Sequence, residues 1–158
     1  MIVGLHHVAI ASKDLAGLTR FYCEQFGLDV LYRGAWQPGN ISTDALVGLK
    51  DSSADFVVLG AGSFRLEIFQ YHTPAGRAAD ADRPVCDSGI THLCMQVTDI
   101  DGEYARLTRA GMRFHCPPAP VAAGQRHRAT YGRDPEGNVI ELIEILAADH
   151  PFGTPVLA

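Results

Sequence analysis

The sequence predicts an α+β fold built from two paired βαβββ modules, and three observations support this prediction. A stretch near the N-terminus recurs, in altered form, in the second half of the 158-residue chain. In each copy an apolar segment rich in β-branched residues, typical of a strand, precedes an amphipathic pattern typical of a helix. Three further strand patterns follow in each copy. Because a single sheet of this kind leaves one face uncovered, we expect the two modules to pair.

The repeat is recognised by its spacing. Each copy opens with a histidine, which an aspartate follows after seven residues and a glycine after ten. Each copy later holds one glutamate inside a short apolar run, at residues 66–69 and 140–143. The repeated residues are His7, Asp14, Gly17 and Glu67 in the first copy and His92, Asp99, Gly102 and Glu141 in the second.

The repeat divides one predicted domain, residues 1–147, into a first module at about residues 1–80 and a second at about residues 86–147. Residues 148–158, which carry proline and glycine, form a predicted C-terminal tail.

The first module is predicted to begin with a strand over residues 2–11. Ser12 or Asp14 can cap the helix that follows, and Gly27 ends it. Residues 35–53, which hold the only tryptophan, are interpreted as a loop. The remaining strands are predicted over residues 28–33, 55–59 and 64–71.

The second module is predicted to begin with a strand over residues 89–97. Thr98 and Asp101 resemble a capping box at the start of its helix, which Gly111 ends. Its last two strands are joined by residues 134–138, whose proline and glycine are typical of a turn. The strands after the helix are predicted over residues 112–116, 127–133 and 138–145.

Composition excludes several classes of protein. The formal net charge of −5 disfavours a nucleic-acid partner, which needs a basic surface. No apolar run is long enough for a membrane span, and residues 1–6 lack the pattern of a secretory signal. We therefore expect a cytoplasmic protein, with its four cysteines reduced and packed as small core residues.

The two histidines and two glutamates indicate a metal site. His7, Glu67, His92 and Glu141 each lie in a predicted strand, and the alternate positions of those strands are apolar enough to form the core. An unpaired carboxylate on such a strand is costly to bury. A divalent cation shared by two carboxylates and two neutral imidazoles removes that cost. His6 is the competing ligand, but strand alternation favours His7.

The chain resembles the vicinal oxygen chelate superfamily (glyoxalase, bleomycin resistance protein and extradiol dioxygenase) over nearly its whole length. The segments that carry the resemblance are LHHVAIASKDL at 5–15, GITHLCMQVTDI at 89–100 and DPEGNVIEL at 134–142. The resemblance implies paired βαβββ modules around a metal-lined cleft, with ligands at His7, Glu67, His92 and Glu141. It also implies a homodimer.

Three functions remain open on this resemblance. The first is a metal-dependent isomerase, epimerase or lyase of the glyoxalase type, in which Glu67 and Glu141 are catalytic and a proton is abstracted next to a metal-bound carbonyl of a small oxygenated metabolite. The metal would be Ni, Co, Zn, Mn or Fe. The second is an Fe(II)-dependent extradiol-type dioxygenase that uses His7, His92 and Glu141. The third is a non-catalytic protein that binds an antibiotic or metabolite.

Further residues are candidates for contact with the small-molecule substrate by placement alone. Arg65 shares a strand face with Glu67 and is a candidate for binding an anionic group, although an ion pair explains it equally well. The other candidates are Tyr71, His127 and Tyr131.

Overall fold

The structure of the protein, a computed structural model, describes residues 1–153. Residues 154–158 of the predicted tail lie outside the described residues. The chain folds as two compact units, Met1–Ala78 and Ala79–Ala158. Within the part of the chain that is described, no helix is both long and apolar enough to cross a membrane.

Each unit is built around a four-stranded sheet, and the fold is mixed α+β as predicted. The elements of the first unit are β1 (Val8–Ala11), α1 (Leu15–Phe26), β2 (Asp29–Trp36), α2 (Ile41–Val47), β3 (Ser53–Ala61) and β4 (Phe64–Thr73). Those of the second are β5 (Leu93–Val97), α3 (Ile100–Arg109), β6 (Arg113–Phe114), β7 (His127–Arg133) and β8 (Val139–Ile145).

The two sheets share one topology. Their strand orders are β1-β4-β3-β2 and β5-β8-β7-β6. In each sheet the first strand pairs in parallel with the last strand of its unit, and the other neighbours are antiparallel. The first module contains α2 in addition to the βαβββ pattern.

The first strand of each module is shorter than predicted, because its partner strand ends the pairing. Val8 is in register with Leu66, so residues before His6 would lie beyond Phe64, where β4 begins. Leu93 is in register with Ile140, and β8 begins one residue earlier. The predicted starts at residues 2 and 89 were therefore wrong.

Helices α1 and α3 begin in the same way. The side chain of Asp14 accepts a hydrogen bond from the Gly17 amide at 2.9 Å, and that of Asp99 accepts one from Gly102 at 3.0 Å. The capping box predicted at Thr98 was wrong, because Asp99 occupies the cap. A Cβ on either glycine would lie 2.2 Å from the cap carboxylate. The repeated Asp-x-x-Gly is thus a helix start and not part of a binding site.

Residues 35–53, predicted as a loop, contain the end of β2 and the short helix α2. Asn40 caps α2 by accepting a hydrogen bond from the Thr43 amide, and Gly48 ends it with φ of 68°. Asp44 then accepts hydrogen bonds from the amides of Asp51 and Ser52, which ties the segment back to β3.

The core of each unit lies between one face of its sheet and a helix. In the first unit, α1 packs on β3 and β4, and Leu66 and Ile68 are fully buried on that face. In the second, α3 packs on β8, and Ile140 and Leu142 are fully buried. The opposite face of each sheet carries the predicted site residues.

Candidate metal centre

Glu67 and Glu141 occupy equivalent positions in the two sheets. Glu67 lies between Ala9 on β1 and Val58 on β3. Glu141 lies between Cys94 on β5 and Tyr131 on β7. Because side chains alternate along a strand, each glutamate points away from the buried leucines and isoleucines beside it. The prediction that these glutamates face away from the core is confirmed.

The structure brings the four predicted ligands together as two pairs, one in each unit. His7 Nε2 lies 3.4 Å from Glu67 Oε2, and His92 Nε2 lies 3.0 Å from Glu141 Oε2. The exposed fractions of the two carboxylate side chains, 18% and 15%, are smaller than those of the imidazoles, 43% and 27%. Each unit therefore presents a half-buried carboxylate beneath an imidazole that solvent can reach.

In both pairs the second ring nitrogen of the histidine has another partner. Nδ1 of His7 lies 2.9 Å from Nδ1 of His6, and Nδ1 of His92 lies 2.8 Å from Thr91 Oγ1. A partner at Nδ1 orients an imidazole so that Nε2 is presented to a metal or a carboxylate. His6, the competing ligand, contacts the His7 ring, and His7 is the imidazole that lies beside Glu67.

The surroundings of the two glutamates differ. The Tyr131 ring lies 4.9 Å from the His92 ring, centroid to centroid. Partial burial raises the pKa of Tyr131, and the nearby Glu141 carboxylate adds to the rise. Cys94 is exposed as a residue, but partial desolvation of its thiol beside the sheet raises the pKa of Cys94 to about 12, with further contributions from the charge of Glu141 and the hydrogen bond to it. Ala9 and Val58, the counterparts of Cys94 and Tyr131, offer Glu67 no such donors.

Cys94 also corrects the expectation that the cysteines are core residues. All four are free thiols, and Cys86, Cys94 and Cys116 are exposed. Glu141 lies on the face of the second sheet that is opposite the core, and Cys94, its partner on β5, lies on the same face. The residues across the strands from Glu141 were not predicted as site residues, because register between strands is not readable from spacing alone.

Three other candidates have structural partners. Arg65 Nη1 donates hydrogen bonds to the carbonyl oxygens of Gly62 and Phe64, both at 2.7 Å, and so holds the turn between β3 and β4. His127 Nδ1 lies 2.9 Å from His150 Nε2 on the exposed surface. Tyr71 stacks on Phe69 on the face that carries Glu67, with ring centroids 5.8 Å apart.

A third His–carboxylate pair in the first unit serves as a comparison. His72 Nε2 lies 3.0 Å from Asp55 Oδ2 at the exposed surface. In the alignment of the two sheets by register, the counterparts of Asp55 and His72 are Arg128 and Leu146. The repeat therefore selects the His7–Glu67 pair and not this one.

The turn before β8 fixes the position of Glu141. The buried Asp134 carboxylate accepts hydrogen bonds from the amides of Glu136 and Asn138 and from the Asn138 side chain. A Cβ at Gly137 would lie 2.3 Å from the backbone of Ala81, so only glycine fits there. The segment at residues 134–138 shapes the turn and contributes no metal donor.

The donor chemistry fits a divalent ion. Two imidazole nitrogens and two carboxylate groups are a donor set that borderline first-row metals accept. Each pair lies on the face of its sheet that is opposite the core. Within residues 1–153, no group of three or more His, Cys, Asp or Glu side chains gathers as a metal-binding cluster. The predicted donors are present as two equivalent His–Glu pairs, one in each unit.

Comparison with known proteins decides the family. A model of the glyoxalase/bleomycin resistance protein/dioxygenase superfamily matches residues 4–142, a span that includes all four predicted ligands. The chain belongs to this superfamily. No curated protein sequence matches it significantly.

Solved structures of the superfamily share the fold of this chain. A glyoxalase family protein from Bacillus cereus is 25% identical, with a TM-score of 0.81 over 93% of this chain and 97% of that one. The genomically encoded fosfomycin resistance protein FosX from Listeria monocytogenes is 19% identical, with a TM-score of 0.60 over 91% and 94%. The trypanothione-dependent glyoxalase I of Leishmania major is 22% identical, with a TM-score of 0.60 over 88% and 84%.

Proposed function

We propose that this protein is a metal-dependent isomerase, epimerase or lyase of the glyoxalase type, which abstracts a proton from the carbon next to a carbonyl of a small oxygenated metabolite. One observation carries the proposal. The same His–Glu pair occurs at equivalent positions in both modules, with Nε2 to Oε2 distances of 3.4 and 3.0 Å.

The proposed metal ligands are His7, Glu67, His92 and Glu141, and the proposed metal is Ni, Co, Zn, Mn or Fe in the divalent state. Membership of the superfamily supports a metalloenzyme. One structure of the Listeria FosX protein, at 19% identity, holds Mn(II) together with 1S,2S-dihydroxypropylphosphonic acid. For the present chain, the proposal of a bound metal ion depends on its two repeated His–Glu pairs.

A bound divalent ion would polarise the substrate carbonyl and stabilise the charge that develops when the neighbouring C–H bond breaks. The carboxylate of Glu67 takes the proton, and the electron pair of the broken bond delocalises into the carbonyl. Return of the proton to the former carbonyl carbon, with transfer of the neighbouring hydroxyl proton to the former carbonyl oxygen, gives the isomer. Return of the proton to the other face of the original carbon gives the epimer. Departure of a group from the next carbon gives the product of a lyase.

Glu67 is better placed than Glu141 to act as the base. Its cross-strand neighbours, Ala9 and Val58, carry no polar atoms that would hold the carboxylate in one orientation. Glu141, by contrast, accepts a hydrogen bond from the Cys94 thiol and lies beside Tyr131. A carboxylate with fewer fixed partners moves more readily between a metal and a substrate proton, so we assign Glu67 as the base and Glu141 as the permanent ligand.

The test is hydrogen–deuterium exchange at carbon. Hydroxyacetone and 2-hydroxyacetophenone are incubated in D₂O with protein loaded with each of the five metals, and loss of the proton signal next to the carbonyl is followed by NMR. We expect exchange with the wild-type protein and a loss of about 100-fold or more in Glu67→Gln, as for removal of a general base. The metal content of that variant is expected to remain measurable.

Asp55→Asn is the matched control, because Asp55 belongs to the surface His–Asp pair of the same sheet. It should exchange at the wild-type rate. Full activity in Glu67→Gln would remove the base from the mechanism. Oxygen uptake by the Fe(II)-loaded protein with catechol would instead assign dioxygenase chemistry to His7, His92 and Glu141 and would overturn the proposal.

A further inference from the structure

Aromatic side chains line the face of the first sheet that carries Glu67. The register of β2, β3 and β4 places the aromatic rings of these three strands next to one another on this face. The ring nearest to Glu67 along β4 belongs to the residue two positions after it. They are half-buried, except for one that is exposed. We call this set the aromatic row; its members are Tyr32, Trp36, Phe56, Phe69 and Tyr71.

The rings of the aromatic row contact one another continuously. Phe56 and Phe69 stack with centroids 5.3 Å apart, and Phe69 and Tyr71 stack at 5.8 Å. Trp36 meets Tyr71 edge to face at 5.7 Å. A Cβ at Gly34 would lie 2.4 Å from the Phe56 ring, so the absence of a side chain there lets this ring lie across β2.

Trp36 is held in place from its polar edge. Its Nε1–H donates to Ser52 Oγ at 2.9 Å, and the Ser52 hydroxyl donates to Asp44 Oδ1 at 2.5 Å. Ser52 is fully buried, and Asp44 belongs to α2. The segment that lengthens the first module therefore fixes the orientation of the indole ring.

The second module has no such row at the equivalent positions. The counterparts of Phe56, Phe69 and Tyr71 are Ala129, Ile143 and Ile145. The main core of this unit lies on the opposite face of the sheet, which packs against α1 and contains the fully buried Val57, Leu59, Leu66 and Ile68. On the face of the aromatic row, Ala54 is also fully buried. The rings are thus an addition that is specific to the first module.

From this placement we infer that the aromatic row is a specificity subsite for an aryl group of the substrate, and that the substrate class is small aryl-substituted compounds with adjacent oxygen atoms. The inference rests on the proposed function, which places the reacting carbonyl near Glu67. Phe69 lies two residues from Glu67 along β4, or about 7 Å at the rise of a strand. This spacing places the Phe69 ring beside the Glu67 carboxylate on one face of the sheet, so a phenyl ring bonded to the oxygen-bearing carbon of a hydroxy acid or hydroxy ketone is short enough to reach the row while its oxygen atoms lie near Glu67. Flat rings favour offset or edge contacts with such a group.

Trp36 supplies the signal for a direct test, because it is the only tryptophan of the chain. Zn(II)-loaded protein is titrated with mandelate and, separately, with lactate, which carries the same hydroxyl and carboxylate groups but a methyl group in place of the phenyl ring. We expect mandelate to change the Trp36 emission and to bind about tenfold more tightly than lactate, a difference of about 1.4 kcal/mol.

Two variants sharpen the test. Phe69→Leu removes a central ring of the aromatic row, and Ser52→Ala removes the hydrogen bond that orients Trp36. Both should bring the affinity for mandelate close to that for lactate and leave lactate binding unchanged. Phe114→Leu, the same change at a ring packed on Tyr104 of α3, is the control and should preserve the tenfold preference. Circular dichroism establishes that each variant is folded, and saturation transfer from protein to the phenyl protons of mandelate gives a second readout.

Each outcome has one meaning. Equal affinities for mandelate and lactate in wild-type protein that binds zinc would overturn the subsite and leave the proposed function standing. Selective binding of mandelate by protein that shows neither zinc binding nor carbon-bound exchange would support the subsite and refute the proposed function. An emission that depends on protein concentration and not on mandelate would show that a second copy of the chain covers the row, which would also overturn the inference.

Discussion

The two modules use one scaffold to present two different surfaces. Their sheets have the same strand order, and the first and third strands of each sequence module pair with the last strand in equivalent registers. The His–Glu pair and the Asp–Gly helix start recur in both modules. The face around Glu67 carries a row of aromatic rings and its cross-strand neighbours are Ala9 and Val58, whereas the cross-strand neighbours of Glu141 are the thiol of Cys94 and the phenol of Tyr131. The repeated residues therefore define the scaffold and the proposed metal donors, and the residues that differ define what else each module presents.

The comparison also separates two reasons for repetition. Asp14 and Gly17 recur as Asp99 and Gly102 because both helices need a carboxylate cap and a neighbour without a Cβ. The two glutamates recur on the face of each sheet that is opposite the core. At these strand positions the carboxylate caps no helix and holds no turn. Only the second kind of repetition indicates chemistry.

The largest expected difference between the modules is in the roles of their glutamates. Glu67→Gln should lower carbon-bound exchange by about 100-fold or more while metal binding persists, because a general base is lost. Glu141→Gln should instead release the metal, because its neighbours fix it as a ligand. Metal content by elemental analysis and exchange by NMR, measured on the same samples, check both. Identical behaviour of the two variants would remove the functional asymmetry.

The shared scaffold predicts equal costs for equivalent core truncations. Ile68 and Leu142 occupy matching positions on the buried faces of β4 and β8. Replacement of either with alanine should lower the free energy of unfolding by about 2–5 kcal/mol, the usual range for fully buried aliphatic residues. Urea denaturation followed by far-ultraviolet circular dichroism measures the loss. A cost below about 1 kcal/mol in one module alone would mean that the two cores are not equivalent.

The helix starts should show a smaller and again symmetrical effect. Asp14→Ala and Asp99→Ala should each lower the free energy of unfolding by about 1 kcal/mol, because one amide in the first turn loses its acceptor. Gly17→Ala should also be destabilising, since its Cβ would meet the Asp14 carboxylate. In the Asp14→Ala background that clash is absent, so Gly17→Ala should become neutral or stabilising. Thermal unfolding of the single and double variants tests this, and additive effects would refute the cap explanation.

The smallest expected effect is a local response of Trp36 to acid. Hydrogen bonds from the Ser52 hydroxyl and amide lower the pKa of Asp44 from its ordinary value of 3.8. A lowered pKa means that the stabilisation is complete above pH 3.8 and is lost as the pH falls through the lower, folded-state value. The Trp36 emission should therefore shift below pH 3.8 in the wild-type protein and already be shifted at neutral pH in Asp44→Asn. An unchanged emission in that variant would show that α2 does not orient the indole ring.

Much of the fold could be predicted from the sequence, because the local signals agreed with the final packing. Apolar periodicity and capping residues predict helices α1 and α3. Strand and turn patterns predict the strand at residues 127–133 and the turn at residues 134–138. Two features could not be predicted in this way. The starts of β1 and β5 depend on where their partner strands begin, and α2 is seven residues long, too short for a clear amphipathic period.

The candidate site was predictable only in part for the same reason. The repeat and the alternation of strand faces identified His7, Glu67, His92 and Glu141, and the structure joins them as two pairs. The residues across the strands, such as Val58, Cys94 and Tyr131, depend on register, which the repeat does not encode. That the four residues bind one metal ion remains a prediction.

Titration with Co(II) tests the central claim most directly, because the visible absorption of the ion reports its ligands. The wild-type protein should bind one Co(II) per chain. His7→Ala and His92→Ala, which remove one donor from each module, should each weaken binding by at least about tenfold, or 1.4 kcal/mol. His72→Ala, from the surface pair, should bind as the wild type does. Wild-type affinity in His7→Ala, or two ions bound per chain, would show that the modules do not share one metal ion.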